Sequence, residues 1–158
     1  YMQEGKFQYH PLMRLTLFCT LLFIFGLWLT NFFMYFSKMG LTPQSVANYY
    51  HGNEAAFLPP RTFGSMLEVT HIHLPIIGIF LLLLTHLLIF AKFEDRTKVI
   101  FIIAAFGSGL LNEGAGWLVR FVHPVFSILK IFSFLAFQGI LAFLIGALGW
   151  FLWTSRKK

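Results

Sequence analysis

The chain is poor in charge and in thiols, and it lacks the common soluble-enzyme motifs. Only 11% of its 158 residues are charged, 58% are hydrophobic, and the mean hydropathy is +0.74. A soluble domain of this size needs more polar surface than that, so the solvent of this chain is the bilayer. The single cysteine, Cys19, excludes an internal disulfide, a CxxC redox pair and covalent c-type haem attachment. Its position inside an apolar run reads as a small buried residue. There is no H-E-x-x-H, no P-loop and no G-x-S-x-G, so nothing argues for a zinc protease, ATP hydrolysis or a serine nucleophile. No internal repeat is apparent. The polar stretch before the first apolar run has no short apolar core followed by a small-residue cleavage site, so that run reads as a retained anchor.

What is present is a set of four long apolar runs, at about 12–36, 66–92, 98–120 and 127–153. Each is long enough to cross a hydrocarbon core, which takes about 20 helical residues. An isolated spanning segment can satisfy its backbone only internally, so all four are helices. Short links make antiparallel neighbours. The expected fold is an all-α, integral-membrane, four-helix up-down-up-down bundle, a single transmembrane domain over residues 1–158. One longer excursion, 37–65, joins the first two spans. In it Thr42 can cap, Pro43 suits a first helical position and Gly52 suits a stop, which predicts a short amphipathic helix from Pro43 to His51.

Cations set the expected orientation. Lys6, Arg14, Lys92, Arg96, Lys98, Arg156, Lys157 and Lys158 fall on the side of the termini, against Lys38, Arg61, Arg120 and Lys130 on the other. The positive-inside rule then places both termini in the cytoplasm and the chain in the cytoplasmic membrane. The net charge of +6 is thus a topology signal, with anionic lipid headgroups as its partner and no nucleic acid implied.

The second run carries three histidines in MLEVTHIHLPIIGIFLLLLTHLLIFAK. An ionisable residue inside a span is a functional-site hypothesis by default. At 100° per residue, Glu68, His71, Pro75, Gly78, Leu82, Thr85 and His86 fall within roughly 60° of one line, while His73 lies about 160° from His71. The stripe is expected to face inward, with His73 turned to a neighbour. The third run answers with Ala105, Gly109, Asn112, Glu113, Gly116 and Arg120 at helical spacing. Small residues allow close helix contact and polar ones avoid lipid, so the two stripes are expected to meet. Glu113 needs a partner or a proton there, from Arg120 or His71, and Glu113 and Glu68 are the expected proton-linked groups.

The cofactor this arrangement suggests is a b-type haem, which takes axial imidazoles, clearance from small residues and arginines near its propionates. His71 and His123 are the candidate ligands on the outer side, with Gly109 and Gly116 for clearance and Arg61 and Arg120 for the propionates. His86 is the inner candidate, with His10 as its doubtful partner. With these residues, the four-span chain and its histidines fifteen apart on one face resemble the small membrane cytochrome b subunits of quinone-linked respiratory enzymes. The resemblance implies a haem b electron-transfer subunit in a hetero-oligomeric membrane redox complex, with a quinone as its mobile reactant. The fourth run has no internal histidine to match His71 and His86, so the ligand count allows one haem or none.

Three other readings use the same residues. A non-catalytic accessory subunit would use the polar stripe for helix register and dock on a larger complex. A proton or ion pathway would run through Glu113, Asn112, His71 and Thr85. A metal held by Glu68, His71 and His73 would require the helix to unwind near Pro75, because residues two apart point to opposite sides.

Overall fold

In the computed structural model, residues 10–154 are described, and they are helical throughout their length-bearing parts. The order is α1 (Pro11–Lys38), α2 (Pro43–His51), a 3-10 turn (Glu54–Ala56), α3 (Phe63–Ile89), α4 (Asp95–Phe121), a second 3-10 turn (Pro124–Phe126) and α5 (Ser127–Thr154). Four helices, α1, α3, α4 and the Pro124–Thr154 stretch containing α5, are long and apolar enough to cross a membrane. The described residues contain no strand, only an isolated bridge between Asn53 and Leu58.

Local chemistry sets the helix ends. Thr42 accepts from the Ser45 amide at 3.3 Å, Pro43 opens α2, and Gly52 leaves it at φ +84°. A Cβ at Gly52 would lie 2.6 Å from the Leu58 carbonyl oxygen, so the turn needs glycine both for its backbone angle and for its room. Helix α3 starts three residues before the expected Met66 because Thr62 accepts from the Ser65 amide at 3.1 Å. It ends at Ile89, short of the expected Lys92, in a turn closed by the Phe93 amide on the Ala91 carbonyl. Helix α4 starts at Asp95, three residues before the apolar run, with Lys98 bonded to Asp95 at 3.3 Å.

Helix α5 is the centre of the bundle, packed against α1, α2, α3 and most extensively α4. Toward the chain termini the core is apolar: Leu17, Leu21, Leu81, Leu84, Leu88, Leu144 and Leu148 are buried together. Toward α2 a second cluster holds Tyr35, Met39, Val46, Tyr50, Met66, Val119 and Phe134. Helix α1 leans on α5, where the Trp28 indole donates to the Gln138 carbonyl at 3.0 Å and Tyr35 stacks on Phe134 at 3.7 Å. It hardly approaches α3. That missing helix contact opens a cleft, and the cleft positions the candidate site.

Candidate functional site

The space between α1 and α3 is a cavity of about 300 Å³, floored by α4 and α5 and roofed by α2 and Arg61. Its two ends differ. On the α2 side it is lined by Lys38, Tyr49, Tyr50, Arg61, Thr70, His73, Asn112, Glu113 and Lys130; deeper in the membrane Ile24, Leu27, Ile77, Phe80 and Leu141 replace them. An apolar groove between Leu22, Phe23, Gly26 and Phe80 shares Leu27, Thr30 and Phe80 with the cavity and continues it toward the lipid.

Three polar contacts shape the head of the cavity. The His73 imidazole donates from Nδ1 to Glu113 Oε1 at 3.0 Å, joining α3 to α4, with the carboxylate largely buried and the imidazole half-exposed. The Lys130 ammonium is buried and donates to both the backbone oxygen and Oδ1 of Asn112, at 2.7 and 3.0 Å. The Trp117 indole donates to Thr70 Oγ1 at 2.9 Å.

The roof is pinned by backbone acceptors. Arg120 Nε donates to the Arg61 carbonyl at 2.7 Å, the Arg61 amide donates to the Tyr50 carbonyl at 3.0 Å, and His51 Nε2 donates to the Val119 carbonyl at 2.7 Å. Gly116 admits the Tyr50 phenol, because a Cβ there would lie 2.5 Å from its oxygen. Burial, reinforced by neighbouring Tyr49 and Glu113, pushes the Tyr50 phenol above its ordinary pKa, so it stays a neutral hydroxyl.

The structure turns α3 the other way from the expected seam. Of the expected stripe Thr85 is buried and Gly78 half-buried, but Glu68, His71, Pro75, Leu82 and His86 are exposed, while Met66, Leu81, Leu84 and Leu88 are buried and His73 reaches Glu113. The physical reason is packing: the leucine stripe fits the surfaces of α4 and α5, and a single histidine at the cavity mouth satisfies the carboxylate. The α4 stripe does face inward, with Ala105, Gly109, Asn112 and Gly116 buried. Its glycines serve other neighbours than a porphyrin, for Phe137 seats against Gly109 and Tyr50 against Gly116.

The remaining expected residues are scattered. Glu68 is exposed on α3. His86 packs its ring against Phe90, with centroids 5.5 Å apart. Exposed His123 accepts from the Val125 amide at 3.1 Å and so caps the turn before α5. Arg61 lies over the Tyr49 ring and Arg120 over Phe121, each at 5.4 Å. Cys19 is exposed rather than buried. Lys6, Arg156, Lys157 and Lys158, used for the orientation, lie outside the described residues.

A haem inside the bundle does not fit the described residues: of the histidines only His73 lines the cavity, and Glu113 already holds it. Among the described residues no three His, Cys, Asp or Glu side chains converge on a metal position, so Glu68, His71 and His73 do not form the site that an unwound helix would have given. Sequence reasoning passed over Lys130, counting it only as a flanking cation, although its place at the start of an apolar run was a signal. It also set His73 aside, although the spacing of Met66, His73, Leu81, Leu84 and Leu88 follows a helix face.

Residues 40–158, about three-quarters of the chain, match the profile of Aq_1264_TM, described as a transmembrane helical domain. No curated protein and no solved structure matches. The matched stretch takes in all of α2, α3, α4 and α5 and every polar group at the head of the cavity except those of α1, Lys38 among them. The chain belongs to the Aq_1264_TM family of transmembrane helical domains.

Proposed function

We propose that this membrane-embedded helical protein binds the head of a lipid-soluble amphiphile in the cleft between α1 and α3. The observation that carries the reading is the continuity of the space: a polar head on the α2 side, an apolar body at mid-membrane and an apolar groove leading out past Gly26. Ligand cavities in proteins are mostly apolar with a few convergent polar groups, and they span about 300–1,000 Å³. An isoprenoid quinone, implied by the cytochrome resemblance, has this general form, and so does a single-chain or two-chain lipid. A through-going ion path is not part of the reading, because Leu81, Leu84, Leu144 and Leu148 close the other half of the bundle.

The test fills the groove. Nothing lies within 4 Å of a Cβ placed on Gly26, so the side chain of Gly26→Trp starts from open space at the groove, and unchanged helical circular dichroism checks that the variant folds. Native mass spectrometry of the purified protein should show one retained amphiphile in the wild type and none in Gly26→Trp. A wild type that carries nothing, or equal retention by both, would remove the proposal.

A second reading concerns redox work and rests on the outer face of α3. His71 and His86 are both exposed, fifteen residues apart and within roughly 60° of each other around the helix. Polar side chains turned toward lipid are costly unless a neighbour meets them. A haem b ligated there would lie between this chain and another subunit of a membrane redox complex, and this chain would supply one axial imidazole per haem. A reduced-minus-oxidised spectrum of the isolated complex should then show b-type bands that weaken in His71→Ala and persist in His73→Ala. A spectrum without such bands discards the reading.

A further inference from the structure

We infer that the amphiphile taken up by the cleft carries an anionic head, a carboxylate or a phosphate, held by Lys130 and Arg61. The inference rests on the cleft reading above and adds the charge of its ligand. Three cations, Lys38, Arg61 and Lys130, line the cavity against one carboxylate, Glu113, which is bonded to His73. Among the described residues, none of the three cations forms an ion pair; the ion pairs present are His73 with Glu113 and Lys98 with Asp95.

Lys130 is placed to meet an anion. It sits in the first turn of α5, where a lysine stem is long enough to carry its ammonium out to the headgroup region. Instead the ammonium turns inward, is buried, and meets Asn112, nine residues or about 13 Å below the end of α4. A buried cation is costly unless an anion offsets it, and the one carboxylate lining the cavity, Glu113, is bonded to His73 instead. Asn112 supplies two neutral acceptors, and an ammonium has three donors. The third donor and the Arg61 guanidinium, which rests on the Tyr49 ring, are the groups that an entering anion would meet at the cavity head. The tail would then lie along Ile77 and Phe80 toward the groove.

Trp28 and Trp117 line the cavity, so their fluorescence reports its occupancy. In neutral detergent, with Trp150 and Trp153 changed to Phe to remove exposed background, the full chain is titrated with 9,10-dibromostearate and with its uncharged methyl ester at pH 8. The expected result is half-maximal quenching by the acid at a concentration at least tenfold below that of the ester. Lys130→Gln should bring the acid to the level of the ester, and Lys130→Arg should keep most of the preference. If Lys130→Gln loses its helical circular dichroism, Arg61→Gln takes its place, with a smaller loss of preference expected. Dibrominated phosphatidate and phosphatidylcholine separate the sources: preference for phosphatidate with none for the free acid names a phospholipid, and preference for both names the shared charge. Equal quenching by charged and neutral forms overturns the anionic head and leaves the cleft standing. Absence of quenching by all four probes overturns the cleft and the inference with it.

Discussion

At the scale of single residues, the head of the cavity depends on how closely Tyr50 approaches α4. The Tyr50 ring is buried at Gly116, and even one methyl group there would overlap the phenol oxygen and its ring carbons. The phenol cannot swing freely, because Tyr50 is buried in one cluster with Tyr35, Val46, Met66, Val119 and Phe134. Gly116→Ala is therefore expected to destabilise the fold by about 1–3 kcal/mol, the usual cost of overpacking. Gly107 is the control, since nothing lies within 4 Å of its Cβ, and Gly107→Ala should be neutral or slightly stabilising. Reversible unfolding in mixed micelles measures both. A Gly116→Ala protein as stable as Gly107→Ala would show that the phenol yields without cost.

At the scale of elements, the helices were legible and the side that one of them presents was not. Apolar length located the four spans, and Thr42, Pro43 and Gly52 located α2 to the residue. The starts of α3 and α4 lie three residues earlier than expected because capping and ion pairing outside the apolar runs extend a helix beyond its hydropathy signal. On α4 the inward side could be read because small and polar residues share it, and both are excluded from lipid for separate reasons. On α3 the two signals conflict. The stripe of Glu68, His71 and His86 is polar and the stripe of Leu81, Leu84 and Leu88 is large and apolar, so polarity alone chose the wrong side. Packing decided it, and packing depends on the shapes of α4 and α5, which no periodicity records. The same gap hid the cleft: it exists because α1 attaches to α5 through Trp28 and Tyr35, a tertiary choice made far from α3 in sequence.

At the scale of the whole molecule, the uneven polarity of the bundle makes its orientation matter. The polar cavity head, α2 and the turn before α5 share one side; the α3–α4 turn, with Lys92, Arg96 and Lys98 around it, lies on the other. Short loops rich in Lys and Arg resist translocation, so the α3–α4 turn should face the cytoplasm and the cavity head the opposite compartment. Of the four cations on the α2 side only Lys38 is exposed, because Lys130 is turned inward and Arg61 and Arg120 are half-buried at the roof. In a Cys19→Ser background, Glu54→Cys beside α2 and Glu94→Cys in the α3–α4 turn place one thiol on each exposed end. A membrane-impermeant maleimide should label Glu54→Cys in intact cells and Glu94→Cys only after the membrane is opened. The reverse pattern would mean that the buried and roof-bound cations had set the topology, and an amphiphile's head would then have to reach the cavity from the cytoplasmic leaflet.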